Sequence, residues 1–246
     1  MAIPPYHWWR TVFFLIPAIS LYTIVLGTLS LASAVVDRRG TFAHRCARWW
    51  AWLILKTTGV QVEVSGSVPL DSTQSYLFLS NHQSIYDIPV LFWHLPYELR
   101  IIAKDSLGRF PFLGWHLRRT GHVLVDRDSP GKSTLTQVAR LMRERLSLLV
   151  FPEGTRSRDG SLLRFKAGTI RLAIDSGIPI VPVAIEGTRH VMRKGRLMTC
   201  PGAVRLRVHA PIVTAGLDRS HAREIAARVE AVVREAVEGW QAEVSR

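Results

Sequence analysis

Cysteine is scarce in this chain, and the glycine-rich signatures of several enzyme classes are absent. Only Cys46 and Cys200 occur among the 246 residues. They lie far apart and belong to no CxxC pair or Cys/His cluster, which argues against a structural zinc site or a disulfide framework. The sequence also contains no P-loop, no Rossmann glycine pattern and no Gly-x-Ser-x-Gly motif. These absences argue against the corresponding nucleotide-binding folds and against an α/β-hydrolase.

Acidic residues are in the minority. The chain has 19 Asp and Glu residues against 32 Lys and Arg residues, which gives a formal net charge of +13 at pH 7. This excess predicts an anionic partner, and the candidates are a nucleic acid, an anionic membrane and an acidic carrier protein. No nucleic-acid recognition module is present, and 48% of the residues are hydrophobic. We therefore expect membrane lipids or a carrier, and no nucleic acid.

Charge is absent altogether from residues 12–36, a run of 25 residues. At about 1.5 Å per residue, a helix of this length crosses a hydrocarbon core of about 30 Å. Residues 41–58 form a second helical pattern, rich in tryptophan and flanked by arginine, as is typical of a membrane interface. We predict that residues 1–58 anchor the chain to a membrane with two helices, either as a single span or as a hairpin in one leaflet. Ala32-Ser33-Ala34 has the form of a signal-peptide cleavage site, but the basic region before the run is poor, which favours retention.

From residue 59 onward the sequence alternates between strand and helix patterns. The predicted strands are 60–64, 76–80, 99–103, 122–125, 148–151, 180–185 and 204–209. Helical patterns separate several of these strands, and an amphipathic pattern from about residue 218 to 240 ends the chain. This alternation predicts an α/β domain over residues 59–246, with helices packed on a sheet.

A histidine and an aspartate lie five residues apart where one predicted strand ends. His82 follows the strand, and Asp87 begins the helical pattern after it. In this arrangement the carboxylate can accept a hydrogen bond from one ring nitrogen, which leaves the other nitrogen free to take a substrate proton. The alternative interpretation is a strand-end histidine and a helix-capping aspartate with no chemistry between them.

A second motif, Phe151-Pro152-Glu153-Gly154-Thr155-Arg156-Ser157, follows another apolar run. Two lesser blocks lie at residues 121–127 and 180–183. Together with His82 to Asp87, these blocks resemble the glycerolipid acyltransferases, specifically the 1-acylglycerol-3-phosphate acyltransferase family. The resemblance covers approximately residues 60–212.

The resemblance implies a fold, a reaction and a set of site residues. The fold is a mixed α/β sheet flanked by helices. The reaction moves a fatty acyl group from acyl-CoA or acyl carrier protein to the sn-2 hydroxyl of lysophosphatidic acid, with no metal and no cofactor. His82 is then the general base, and Asp87 orients it. The implied acceptor-binding residues are Lys104, Arg127, Glu153, Gly154, Thr155, Arg156 and Lys166. Because a carboxylate repels phosphate, we expect Glu153 to hold Arg156 or a glycerol hydroxyl.

Two other functions remain open on the sequence. One is the same chemistry on another acceptor, such as a lyso-ornithine lipid or another lysophospholipid. The other is a membrane-binding protein that has the fold without activity, although the presence of His82, Asp87, Glu153 and Arg156 favours an enzyme. In the favoured interpretation the protein makes phosphatidic acid for phospholipid biosynthesis at the cytoplasmic face of the cell membrane.

Overall fold

The computed structural model describes residues 5–33, 35–37, 39–66, 70–71, 73–109, 113–125 and 132–244. Its strands are β1 (Val60–Ser65), β2 (Leu77–Ser80), β3 (Leu99–Lys104), β4 (Val123–Val125), β5 (Ser147–Val150), β6 (Ile180–Glu186) and β7 (Gly202–Val208). Its α-helices are α1 (Tyr6–Arg10), α2 (Ile16–Ser33), α3 (Thr41–Thr58), α4 (Asp87–His94), α5 (Leu113–Arg119), α6 (Lys132–Arg143), α7 (Ala167–Ser176), α8 (Thr188–Val191) and α9 (Ala222–Val244). The predicted α/β alternation is confirmed.

The seven strands form one mixed sheet in the order β1-β7-β6-β2-β5-β3-β4. Neighbouring strands are parallel except for β6 and β7, which are antiparallel. Strands β2 and β5 are central neighbours, with Leu79 opposite Val150. Their carboxyl ends therefore meet at one edge of the sheet, where the loops that follow them can form a common site.

Both faces of the central strands are buried, because successive side chains of a strand point to opposite sides. Leu77 and Leu79 belong to an apolar cluster with residues of α6, α7 and α9. Phe78 belongs to a cluster on the other face with residues of α3 and α4. This two-sided burial explains why the central strands are continuous apolar runs.

The first predicted anchoring helix is present and continuous. Helix α1, a π-helical segment at Thr11–Leu15 and α2 together form one helix over Tyr6–Ser33, with a mean hydropathy of 2.2 in its most apolar window. In the described part of the chain, it is the one helix long and apolar enough to cross a membrane. Its outer surface carries exposed apolar side chains, among them Phe13, Ile24 and Leu29.

Several polar contacts fix the first part of this N-terminal helix to the domain. The Arg10 guanidinium donates to the carbonyl oxygens of Thr57 and Thr58 at 3.1 and 2.9 Å. The Thr11 hydroxyl accepts from the backbone N–H of Thr199 at 2.9 Å. Farther along the helix, Trp50 Nε1 donates to the Thr23 hydroxyl at 3.0 Å.

Helix α3 differs from the prediction of a second anchoring helix. It buries Ala51, Ile54 and Leu55 in the cluster that includes α4, and Arg48 donates to the carbonyl oxygen of Leu95 at 2.7 Å. The structure therefore has one candidate anchor helix where the sequence predicted two. The physical reason is that an arginine beside apolar residues suits a helix-to-helix contact as well as a membrane interface. The domain division at residue 58 stays a prediction.

Candidate active site

The two principal motifs lie side by side at the carboxyl ends of β2 and β5. The ring of Phe151 stacks on the ring of His82, with centroids 3.9 Å apart and an interplanar angle of 15°. The backbone N–H of Ser157 donates to the carbonyl oxygen of His82 at 2.8 Å. Two segments some seventy residues apart in sequence are thus joined by an aromatic contact and a backbone hydrogen bond.

His82 and Asp87 form a close hydrogen-bonded pair. The distance from His82 Nδ1 to Asp87 Oδ2 is 2.6 Å. Because a carboxylate only accepts hydrogen bonds, Nδ1 carries a proton, and in the neutral ring Nε2 has the lone pair. The His82 side chain is 16% exposed, whereas that of Asp87 is completely buried. An imidazole oriented in this way can accept a proton through Nε2.

Asp87 is held by three further hydrogen bonds besides the one from His82. Its Oδ2 accepts from the backbone N–H groups of Gln83 and Ser84 at 2.8 and 2.9 Å. Its Oδ1 accepts from the Thr188 hydroxyl at 2.5 Å. Asp87 is also the first residue of α4, where the helix dipole favours a negative charge. These contacts leave the carboxylate no freedom to turn away from the imidazole.

Glu153 binds two backbone N–H groups, whereas the sequence led us to expect that it holds Arg156 or a glycerol hydroxyl. Its Oε1 accepts from the His82 N–H at 2.7 Å, and its Oε2 accepts from the Leu163 N–H at 3.2 Å. Burial raises the pKa of Glu153 from 4.5 to about 7, against the two hydrogen bonds, which lower it. The carboxyl group therefore fixes the backbone of the histidine to the loop after β5.

The comparisons with known proteins agree with this geometry. The profile of the family described as Acyltransferase matches residues 61–186, which include His82, Asp87 and Glu153. The chain belongs to the acyltransferase family. A 1-acyl-sn-glycerol-3-phosphate acyltransferase of Haemophilus influenzae is 32% identical over 219 residues, covering 87% of this chain and 88% of that protein.

This acyltransferase also matches longer eukaryotic relatives and a solved structure. The 1-acyl-sn-glycerol-3-phosphate acyltransferase alpha of Mus musculus is 36% identical over 163 residues, which are 65% of this chain and 57% of the mouse protein. The chain thus spans little more than half the length of that relative, and 61% of the enzyme of that name from Cocos nucifera. The crystal structure of the 1-acyl-sn-glycerophosphate (LPA) acyltransferase PlsC from Thermotoga maritima has a TM-score of 0.76, at 28% identity, covering 95% of this chain and 96% of that one.

Four of the remaining predicted acceptor residues lie in or near the loop after β5. Gly154 has a φ of +77°, a conformation that suits glycine. Thr155 is exposed, and Arg156 is half-buried. Lys166 is the residue before α7, and its backbone N–H donates to the carbonyl oxygen of Pro152 at 3.1 Å. The structure thereby places Lys166 at the base of the same loop.

Two predicted residues are not placed at the site by the described structure. Lys104 is the last residue of β3, at the same sheet edge as His82, but its side chain lies outside the described part. Arg127 also lies outside the described residues. Among the residues that are described, no group of three or more His, Cys, Asp and Glu side chains is arranged to hold a metal ion.

Two residues of the site were not predicted from the sequence. Thr188 follows β6, the other neighbour of β2, so its position after a strand end was a usable signal. Lys194 lies in the following loop, and its Nζ donates to the Thr155 hydroxyl at 2.9 Å and to the Arg156 carbonyl oxygen at 2.7 Å. The sequence shows Lys194 only as part of a basic run, which carries no information about these contacts.

Proposed function

We propose that this acyltransferase moves a fatty acyl group from a thioester donor to the sn-2 hydroxyl of lysophosphatidic acid. The observation that carries the proposal is the His82–Asp87 pair, buried on its carboxylate side and joined through Glu153 to the loop that holds Arg156. The names of the bacterial and eukaryotic relatives support the choice of acceptor. The product is phosphatidic acid, an intermediate of phospholipid synthesis.

The proposed reaction needs one base and no covalent enzyme intermediate. Nε2 of His82 takes the proton of the acceptor hydroxyl as its oxygen attacks the thioester carbonyl carbon. The imidazolium that forms is stabilised by Asp87. The tetrahedral intermediate collapses by breaking the carbon–sulfur bond, and the imidazolium returns its proton to the departing thiolate. The products are an ester and a free thiol of coenzyme A or acyl carrier protein, and no metal or cofactor takes part.

The loop after β5 is proposed to hold the acceptor phosphate. A guanidinium group binds a phosphomonoester through two parallel hydrogen bonds, and the backbone at Gly154 permits close approach. We assign Arg156, Thr155 and Gly154 to this role, with Lys104, Lys166 and Arg127 as further cations. Glu153 supports them by fixing the loop to the backbone of His82.

The proposed enzyme works at the cytoplasmic surface of a membrane. The helix over Tyr6–Ser33 presents exposed apolar side chains along its length, and the chain carries a net charge of +13. Together these features suit attachment to an anionic bilayer, where both the lysolipid and the product reside. Trp9, half-exposed on the same helix, is the kind of side chain found at the headgroup level.

The decisive experiment measures transfer by the full chain in detergent, with lysophosphatidic acid as acceptor and either acyl-CoA or acyl carrier protein as donor. We expect His82→Ala to lower kcat about 100- to 10,000-fold, because a general base is lost. His221→Ala, which alters an exposed histidine before α9, is the matched control and is expected to leave the rate unchanged. His82→Ala protein that folds normally and retains a tenth of the activity would exclude this mechanism.

The acceptor is tested with the same preparation. Lysophosphatidic acid, lysophosphatidylethanolamine and a lyso-ornithine lipid are compared at equal acyl-chain length. We expect kcat/KM to be highest for lysophosphatidic acid, because it alone of the three presents a phosphomonoester to Arg156. A higher kcat/KM for either of the other acceptors would still support acyl transfer but would contradict the assignment of lysophosphatidic acid as the acceptor.

A further inference from the structure

A cavity of about 780 Å³ runs along the edge strand β4, lined by residues of β4, α5 and α6. Five arginines line it: Arg39, Arg100, Arg118, Arg119 and Arg140. The lining also includes two carboxylates, Asp105 and Glu144. We refer to it as the β4 cavity. Its charge is therefore strongly positive before any contact is considered.

Each of the two carboxylates in the cavity lining is already paired with one arginine. Glu144 accepts a hydrogen bond from Arg140 at 2.8 Å, within one turn of chain. Asp105 lies 4.0 Å from Arg109. The side chains of Arg118 and Arg119 are exposed and make no hydrogen bond or ion pair with any other described residue. These two guanidinium groups are therefore available to an anion that enters the cavity.

Arg100 adds a fixed positive charge to the wall of the β4 cavity. It is only 1% exposed, and its Nε is buried without a hydrogen-bond partner in the described structure. Two backbone carbonyl oxygens accept from its other nitrogens, at 3.1 and 2.8 Å, and the nearest carboxylate, Glu98, is 3.9 Å away. A buried charge is costly unless it is closely paired, and Arg100 has a long ion pair with Glu98 and an Nε without a hydrogen-bond partner in the described structure.

Two buried histidines lie near enough to Arg100 for its charge to affect their pKa values. Burial and the charges of Arg100 and Arg48 lower the pKa of His44 to about 3. Burial and the charge of Arg100 hold the pKa of His122, which lines the cavity, well below its usual value. Burial is the larger cause of both shifts and the charge of Arg100 adds to it, so these surroundings disfavour a further cation.

The β4 cavity lies mostly away from the reacting edge of the sheet. Arg100 is the second residue of β3 and pairs with Leu148, the second residue of β5. His82 and Phe151 instead follow the carboxyl ends of β2 and β5. Arg100 and the other lining residues near the start of β4 and β5 therefore stand at the opposite edge, whereas Asp105 of the lining directly follows Lys104 at the reacting edge.

The cavity is close to the end of the N-terminal helix. Arg39 lies six residues after Ser33, where that helix ends, and the Arg39 guanidinium donates to the Glu144 carbonyl oxygen at 2.8 Å. Helix α2 also contacts α5, which carries Arg118 and Arg119. Basic pockets at the ends of membrane helices are suited to lipid headgroups.

We propose that the β4 cavity binds the phosphate of an anionic lipid headgroup, through Arg118 and Arg119, at a site separate from the transfer site. The guanidinium forks match the oxygens of a phosphodiester, and the buried charge of Arg100 strengthens the attraction. The inference rests on the membrane attachment in the proposed function. The role of the β4 cavity would be to hold the enzyme at an anionic membrane whether or not acceptor is bound at the transfer site.

The test measures partition of the full chain onto vesicles of phosphatidylcholine with or without phosphatidylglycerol, which is neither acceptor nor product. We expect the double variant Arg118→Ala/Arg119→Ala to lower partition onto the anionic vesicles about 25-fold, since each arginine near an anionic surface contributes about a factor of five. Partition onto pure phosphatidylcholine should not change. The matched control is Arg223→Ala/Arg228→Ala, which removes two exposed arginines of α9.

A second variant separates the cavity from general charge attraction. Gln137→Trp adds volume to the cavity lining without changing the net charge, and we expect it to lower the ratio of partition onto anionic vesicles to partition onto pure phosphatidylcholine. Equal losses from both arginine pairs, or an unchanged ratio for Gln137→Trp, would overturn the site in favour of diffuse attraction.

Competition separates lipid from soluble phosphate. Water-soluble dibutanoyl phosphatidylglycerol should displace the protein from the vesicles, whereas inorganic phosphate and coenzyme A at equal concentration and ionic strength should not. Displacement by coenzyme A alone would assign the cavity to the acyl donor and overturn the lipid proposal. No reaction occurs in these assays, so their failure is distinct from a failure of the proposed transfer, which the His82→Ala assay detects.

Discussion

Among the described residues, the carboxyl group of Glu153 accepts hydrogen bonds only from backbone N–H groups, and through them it fixes the position of the proposed base, His82. Glu153 is 5% exposed and accepts from His82 and Leu163. The sequence could predict that Glu153 belonged to the site, but not this task, because its partners are main-chain atoms that only the tertiary fold brings near. The position of Thr188 after β6 indicated that it lies at the same sheet edge, but nothing in the sequence indicated that its hydroxyl would bind Asp87. The His82–Asp87 contact was predictable because both residues flank a single short turn.

The raised pKa of Glu153 makes stability depend on pH. The folded state binds this proton more tightly than the unfolded state, since the pKa rises from 4.5 to about 7. The stabilisation is complete below about pH 4.5 and is lost as the pH rises through 7, by at most about 3 kcal/mol. Glu153→Gln cannot ionise, and its amide accepts from only one of the two N–H groups.

We therefore expect Glu153→Gln to be destabilised at pH 5 and to lose less further stability than the unaltered protein between pH 5 and pH 8. Denaturant unfolding in detergent at the two pH values measures this difference. Glu224→Gln, which alters an exposed carboxylate on α9, is the control. Parallel pH dependence of the Glu153 variant and the unaltered protein would contradict the assignment.

Among the structural elements, the loop between α8 and β7 supports the loop after β5 through Lys194. Its Nζ donates to Thr155 and to the Arg156 carbonyl oxygen. Lys194→Met retains the length of the side chain and removes the donor. We expect the KM for lysophosphatidic acid to rise about 10- to 100-fold, because charged hydrogen bonds are lost, with a smaller change in the KM for the acyl donor.

Steady-state kinetics with each substrate varied in turn checks this prediction. Lys194→Arg should restore much of the acceptor affinity, and Arg196→Met, which alters an exposed neighbour, should have little effect. A rise confined to the donor KM would mean that Lys194 and its loop serve coenzyme A or the carrier protein.

The strands were the most predictable elements, and α3 was the least. Strands such as β2 and β5 are buried on both faces, so their short apolar runs bounded by turns identify them. Helix α3 combines tryptophans, arginines and an apolar stripe, a composition that suits a membrane surface and a protein surface equally. Only its packing against α4 shows that α3 lies on a protein surface and not on a membrane surface, and such packing cannot be predicted from the local sequence.

At the scale of the whole molecule, the boundary of the foldable domain should lie before α3. Ile54 and Leu55 are each buried to about 95%, and burial of such a side chain contributes about 1.5 to 3 kcal/mol. Removing α3 therefore costs a large part of the stability of a domain of this size, which is typically about 5 to 15 kcal/mol. The prediction of a domain that begins at residue 59 is therefore tested by comparing chains with and without α3.

We expect a chain lacking residues 1–40 to fold and to lose most of its vesicle binding, whereas a chain lacking residues 1–58 should aggregate. Circular dichroism and light scattering on the two truncations measure the outcome. A soluble, cooperatively folded chain that begins at residue 59 would support the original division and show that α3 belongs to the anchor.

In the proposed attachment to a membrane, the fixed start of the N-terminal helix would determine how the enzyme meets its substrates. Hydrogen bonds of Arg10, Thr11 and Thr23 fix the helix to α3 and to the segment at Thr199. The helix is therefore held rigidly on the domain and is not a flexible tether. On a bilayer, the proposed base would then stand at one fixed height. The search for a lysolipid becomes a lateral one in two dimensions, in which every encounter arrives at the same level as the base. Removing these hydrogen bonds would let the domain move relative to the helix. The proposed base would then no longer stay at the level of the lysolipid hydroxyl.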